Sequence, residues 1–258
     1  MKALFWSRQS TPPPRAMALN FLLALLVLSV IFYVVFGTVA YEWRWDGVWD
    51  YRAKFLQGWV LTVAISAAAL VMSLGIGMLA AAMHRAPFLP LRAMARVYVE
   101  LIRSTPLLVQ ILIFFYIVGN AFGVTNRYVA GVLILSLFSA AYISEIFRAG
   151  IESVGETQWE TGRALGLTTP QMYRFVVIPQ MFRQVLPPLT GQLVSLVKDS
   201  SLLSVIAISE FTLNAQEVNS ATYSTLESYL PLAVGYLIIT LPLSLLTRYM
   251  EGRLAYGN

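Results

Sequence analysis

The sequence predicts an all-α, polytopic membrane helix bundle, and three observations predict it. The first is composition. Of 258 residues, 58% are hydrophobic and 12% charged, where a soluble domain carries about 25% charged residues; mean hydropathy is +0.68. The second is a series of apolar stretches about 20 residues long, the length that crosses a bilayer as a helix. The third is an uneven sharing of Lys and Arg between alternate connections, the pattern that orients membrane helices.

The elements follow in order. Residues 1–16 form a polar tail, and Met17–Ala40 is the first apolar stretch. Thr38-Val39-Ala40 faintly resembles a signal-peptidase site, but the run exceeds the roughly 7–15 apolar residues of a signal peptide and is expected to stay as a helix. Residues 41–57 are expected as an external linker. There Trp43, Trp45 and Trp49, with Trp59 beyond it, have the placement of an interfacial aromatic belt. Trp59–Met83 is the second span. Its Ala67-Ala68-Ala69, Gly75, Gly77 and Ala80-Ala81-Ala82 offer small-residue surfaces for close helix packing. Val97–Val118 is the third span and contains Thr105-Pro106. Tyr128–Phe147 is the fourth. Leu186–Ile208 is the fifth and least apolar, with Lys198 and Asp199 in its middle. Leu230–Tyr249 is the sixth, and 251–258 form a tail. No period suggests an internal repeat.

Orientation follows from the basic residues. With the N-terminus inside, Lys2, Arg8, Arg15, Arg85, Arg92, Arg96, Arg148, Arg163, Arg174, Arg183, Arg248 and Arg253 fall on the cytoplasmic side. Only Arg44, Arg52, Lys54 and Arg127 fall outside. Both termini and the long connection 151–185 are therefore expected in the cytoplasm.

Composition also excludes chemistry. The chain has no Cys and one His, His84. This removes disulfides, thiol catalysis and Cys-ligated metal centres. No catalytic set and no metal ligand set is expected, and His84 beside Arg85 reads as a polar residue at a helix end. None of the three lysines, Lys2, Lys54 and Lys198, follows a glycine, so there is no G-K-[ST] phosphate loop. Any ATP must be bound by another subunit.

The long polar connection is the most unusual segment. Glu156–Leu165 is rich in helix formers, and Gly166 is placed to close that helix with a positive φ. Thr169-Pro170 then opens a second short helix, with Thr169 as its N-cap. Pro179 marks a stop or kink. Trp159, Leu165, Leu167, Met172 and Phe175 supply apolar knobs. Such a unit either fills a partner's groove or lies on lipid headgroups.

At these residues the chain resembles the permease subunits of ATP-binding-cassette (ABC) importers. Their cytoplasmic loop carries E-A-A, three residues, G, nine residues, then I-x-L-P. Here Glu160-Thr161-Gly162 stands for E-A-A, Gly166 follows after three residues, and nine more lead to Val176-Val177-Ile178-Pro179. The departures are Thr161 and Gly162 for two alanines, Val176 for Ile and Ile178 for Leu. The resemblance continues through Glu100-Leu-Ile-Arg103-Ser-Thr105-Pro106-Leu-Leu-Val-Gln110, Ala141-Tyr-Ile-Ser-Glu145-Ile-Phe-Arg148-Ala-Gly150 and Leu196-Val-Lys198-Asp199-Ser200-Ser201. These stretches look like the branch that transports histidine, glutamate, glutamine, arginine and opines.

The resemblance implies a type I five-helix core over 58–250, with Met17–Ala40 as an added helix. It implies an ATPase subunit dimer that binds ATP and Mg and is engaged through Glu160, Thr161, Gly162, Ala164, Leu165, Gly166, Leu167, Pro170 and Pro179. It implies a second permease subunit, identical or homologous, an external solute-binding protein and a polar amino acid substrate. Nucleic acid is not among the expected partners. The location implied is the bacterial cytoplasmic membrane.

Charges at membrane depth are costly and face a partner or a cavity. Lys198, Asp199, Ser200 and Ser201 form the leading candidate for the solute path, unless Lys198 and Asp199 simply neutralise each other or pin a helix–helix contact. Glu145 and Arg148 lie one helical turn apart and are expected to pair. Glu100 and Arg103 share that spacing. Pro106 after Thr105 frees backbone carbonyls, as tolerated beside a cavity, and Gln110 is one turn further on. Thr105, Gln110 and Glu145 are weaker path candidates. The stretch Ser209–Tyr229, with Glu210, Glu217 and Glu227, is either a docking surface or a solvated loop. Other functions would look different. An ion-coupled secondary carrier needs charged relays and commonly an internal repeat. A membrane enzyme needs a nucleophile with its base, or a metal.

Overall fold

A computed structural model of the chain describes residues 14–38 and 41–255. Lys2, Arg8, Val39, Ala40 and residues 256–258 lie outside the described residues, and with them most of the expected N-terminal tail. All regular structure among the described residues is helical.

The chain divides into two compact units at Arg44/Trp45. The first carries α1 (Pro14–Thr38), a 25-residue helix apolar on every side. Its large side chains, from Met17 to Val35, are exposed, as suits a helix whose surroundings are lipid.

The second unit holds the remaining helices. α2 (Trp45–Trp49) and α3 (Arg52–His84) open it, so the second span starts before Trp59. α4 (Leu89–Ser104), α5 (Leu107–Ile113) and a π-helical turn, Phe114–Gly119, make up the third span. α6 (Arg127–Glu152) is the fourth. The long connection folds as α7 (Glu156–Ala164) and α8 (Thr169–Met172). A π-helical turn, Tyr173–Val177, then leads into α9 (Ile178–Asp199), which a 3₁₀ turn, Ser200–Ile206, extends. α10 (Phe211–Thr222) and α11 (Thr225–Ala255) complete the chain.

Length and composition suit 4 helices, α1, α3, α6 and α11, as membrane spans, and up to 6 if each of the two bent pairs is one span. The third span is not one rod: α4 and α5 meet at 112°. Pro106 forces this, because a residue before proline leaves the helical region; Thr105 sits at φ −119°, ψ 145°. The fifth span begins at Ile178, ahead of Leu186, which puts Lys198 and Asp199 at the helix end and not its middle. Ser209–Tyr229 is mostly helical and is no loop.

The centre is the packing of α3 on α6. In lipid, helices associate through close fit and not through water release, and the facing residues are small. Ser66, Ala69, Ser73, Gly77, Ala80 and Ala81 of α3 are buried, as are Ser136, Ser139, Ala140, Ala141 and Ser144 of α6. A Cβ at Gly77 would come within 2.7 Å of Ile143 Cγ2. Gly75, by contrast, touches nothing and faces outward. An apolar core of Ile65, Leu107, Ile111, Leu135, Leu196 and Leu203 then joins α3, α5, α6, α9 and its 3₁₀ turn. With 33 residues, α3 is about 50 Å long. α10 gathers at its Arg52 end and α7–α8 at its His84 end.

Candidate functional site

The α7–α8 segment is built almost wholly from local interactions. Glu156 lies in the first turn of α7 and Arg163 in the last, both favourable to the helix dipole. Gly166 takes φ +77°. The Gly166 amide donates to the Arg163 carbonyl at 2.9 Å and the Leu167 amide to the Gly162 carbonyl at 3.0 Å, the paired bonds of a Schellman ending. The N-cap of α8 is Thr168, one residue before the expected Thr169. The reason is Gln171, whose Oε1 accepts from the Thr168 amide at 2.8 Å and from its hydroxyl at 2.9 Å. This capping-box arrangement outweighs placing Pro170 at the first position.

Gly162 is buried and explains why glycine stands there. A Cβ at that site would lie 2.0 Å from Met172 Sδ, so the absent side chain lets α7 seat on α8. Trp159 stacks edge-on against Tyr173, centroids 5.5 Å apart. Trp159, Leu167 and Met172 therefore hold the unit together, while Leu165, 75% exposed, and Phe175, 62% exposed, face outward. Glu160, Thr161, Ala164 and Pro170 are exposed too. Pro179 does not stop the chain: the wide turn Tyr173–Val177 carries the helix through Ile178-Pro179 into α9. A 490 Å³ cavity beside α7 is bordered by Arg85, Glu152, Trp159, Glu160 and Arg163.

A charged cluster lies on α6 and α4. Arg148 binds Glu145 through two bonds of 2.9 Å, and Glu152 through Nη1 at 2.6 Å. Arg103 donates to the same Glu145 at 3.1 Å, from another helix, and lies over the Tyr142 ring. Arg103 is therefore the partner of Glu145 and not of Glu100. The cluster borders a 420 Å³ cavity with Gln184, Pro188 and Gln192. Gln110 is buried and committed to the α4–α5 break. Its Nε2 donates to Ile102 O at 2.7 Å and lies 2.8 Å from Thr105 Oγ1, satisfying groups that the break exposes.

At the far end, Lys198 is exposed, Asp199 and Ser201 are half-buried and Ser200 is buried. Among the described residues no ion pair joins Lys198 to Asp199, so mutual neutralisation by direct contact does not occur. The Ser200 hydroxyl donates to Val197 O and the Ser201 hydroxyl to Lys198 O.

Sequence reasoning missed Glu210. It is fully buried and caps α10, accepting from the Thr212 and Leu213 amides at 2.8 Å each and from the Tyr236 hydroxyl at 3.2 Å. The next amide, of Phe211, donates to Thr62 Oγ1 at 3.1 Å. The signal was present: Phe211, Ala215 and Val218 recur at helical spacing and are buried together with Val48 and Phe55.

The same architecture recurs in known proteins. Residues 73–256 match the family described as binding-protein-dependent transport system inner membrane component. The chain is 35% identical over 207 residues to the probable glutamine ABC transporter permease protein GlnM of Bacillus subtilis (strain 168), which spans 80% of this chain and 96% of that protein. It is 37% identical over 213 residues to the L-cystine transport system permease protein TcyB of the same organism, over 81% of this chain and 91% of that one. A solved chain of an amino acid ABC transporter with histidines superposes with a TM-score of 0.76 at 34% identity, covering 83% of this chain and all of that one. This multi-pass membrane chain belongs to the family of binding-protein-dependent transport system inner membrane components, the permease subunits of ABC importers.

Proposed function

We propose that this chain forms part of the translocation path of an ATP-driven importer for a polar amino acid, and that α7–α8 is its dock for a separate ATPase. The observation that carries the docking reading is the Gly162–Met172 contact. It closes a helix–turn–helix body with local bonds and leaves Glu160 and Leu165 facing out. ATP and Mg belong to the partner ATPase dimer, whose closure pulls on α7 and, through the continuous α8–α9 helix, on the bundle. A second permease copy or homologue completes the path, and an external binding protein delivers the solute. The excess of Lys and Arg at the α7 end supports a cytoplasmic position for that end, with α10 outside, in a bacterial inner membrane.

Relatives named for glutamine and cystine support an amino acid as cargo. Asp199 and Ser201 supply an acceptor set for its ammonium group, and Glu145 sits at the inner cavity. The deciding experiment is co-purification of the ATPase in mild detergent with wild type and Leu165→Asp. The variant is expected to lose the ATPase while remaining folded. Retention of the ATPase together with unchanged uptake overturns the docking reading. For the path, Asp199→Asn is expected to cut uptake without loss of assembly, and unchanged uptake removes Asp199 from it.

A further inference from the structure

The α10 end of the bundle holds a 670 Å³ cavity bordered by Asp50, Lys54, Gln57, Tyr128, Asn214 and Glu217. Its volume falls in the range of small-molecule sites, roughly 300–1,000 Å³. Its wall carries both signs of charge. Lys54 forms an ion pair with Glu217, and their side chains remain 35% and 45% exposed. Asp50 has no ion pair among the described residues. Asn214 shapes the wall from below: it is 3% exposed, and its Nδ2 donates to the Lys54 carbonyl at 2.8 Å, fixing the backbone that carries Lys54.

We infer that this cavity is a reception subsite for a free zwitterionic α-amino acid, separate from the Lys198–Ser201 corner. The inference rests on the reading of the chain as an amino acid importer. An ammonium group has three donors, and Glu217 leaves Lys54 with donors for the ligand's α-carboxylate. Glu217 and Asp50 accept from the ligand's α-ammonium in charge-assisted bonds. Because Lys54 and Glu217 already neutralise each other, a simple anion or cation gains little by displacing one of them. A ligand with both charges replaces both contacts at once, so the wall selects for a zwitterion. Ser209, also on the wall, lies between the 3₁₀ turn after Asp199 and α10. The cavity thus opens beside the segment that leads to the proposed path.

The test uses the permease–ATPase complex in nanodiscs without binding protein, titrated calorimetrically with glutamine and with glutamate. Saturable binding is expected, weakened on the order of tenfold in Lys54→Met and in Glu217→Gln by loss of a charge-assisted contact. It is expected to persist in Lys54→Arg, with acetate and methylamine failing to compete. Glu217→Gln gives the same reading where Lys54→Met does not assemble. Equal binding in wild type, Lys54→Met and Glu217→Gln overturns the subsite. So does absent binding while uptake with the binding protein is normal, and that result leaves the importer reading standing. A flat titration with slowed uptake in Lys54→Met assigns the cavity to contact with the binding protein instead. If the wild type takes up no amino acid at all, the importer reading falls and the subsite with it.

Discussion

Two helix–turn–helix corners stand at opposite ends of α3, and they satisfy their polar groups in opposite ways. In the α7–α8 corner each capping bond spans three to five residues: Leu167 to Gly162, Gly166 to Arg163, Thr168 to Gln171. In the α9–α10 corner Glu210 reaches Tyr236, 26 residues on, and Phe211 reaches Thr62, 149 residues back. A locally closed element moves as a body without losing its own bonds. A cross-braced element moves only by breaking bonds to α3 and α11. The difference assigns motion to the α7 end and rigidity to the α10 end.

The largest expected effect tests the brace. Glu210→Ala leaves two amide donors without their acceptor and the Tyr236 hydroxyl with Thr212 Oγ1 as its remaining partner, 3.0 Å away. With each unmade buried bond costing about 1–3 kcal/mol and a lost N-cap about 1 kcal/mol, destabilisation of roughly 3 kcal/mol is expected, read as a lowered unfolding midpoint in detergent. Glu210→Gln keeps one acceptor oxygen and should lose less. A Glu210→Ala midpoint equal to wild type breaks the comparison.

The next effect tests the local corner. Gly162→Ala pushes a methyl against Met172 at a cost of about 1–2 kcal/mol by overpacking. Because α7–α8 is locally closed, the global unfolding midpoint should hold while solute-stimulated ATP hydrolysis falls. Adding Met172→Ala vacates the space and should restore coupling, a non-additivity expected of residues in contact. A fall in the global midpoint with coupling intact would show the corner to be part of the core.

The two corners also differ in how far they were legible in the sequence. Membrane spans are summed over about 20 residues, so six were countable. The Schellman turn at Gly166 and the Glu145–Arg148 pair depend on neighbours a turn away, and both were readable. The capping site slipped by one residue because adjacent threonines, Thr168 and Thr169, compete for it and only Gln171 decides. The Arg103–Glu145 bond across helices and the bond from Glu210 to Tyr236 depend on how one helix is rotated against another. No local pattern encodes that rotation. Hence the helix–turn–helix shape around Gly166 was legible, while Asn214 was not singled out and Glu210 was named only within an outer polar stretch, without its burial or its capping role.

The smallest effect sets one turn against the other. Gly166 holds φ +77° in the mobile corner, and Ala207 holds φ +56° in the braced one, where its carbonyl accepts from Arg127 Nη1 at 2.8 Å. For a residue with a Cβ the left-handed region costs roughly 1–2 kcal/mol, whereas glycine enters it freely. Gly166→Ala should therefore destabilise the loop by about 1 kcal/mol, seen as faster hydrogen exchange in α7 and α8 and not elsewhere. Ala207→Gly has the opposite sign. It relieves the left-handed strain but gives the unfolded chain more freedom, worth about 0.4–1 kcal/mol against it. A net gain of about 0.5 kcal/mol in global stability is expected, because the braced corner unfolds with the whole bundle. If Ala207→Gly instead changes exchange only around the 3₁₀ turn, that corner opens locally, and the rigidity assigned to the α10 end is lost.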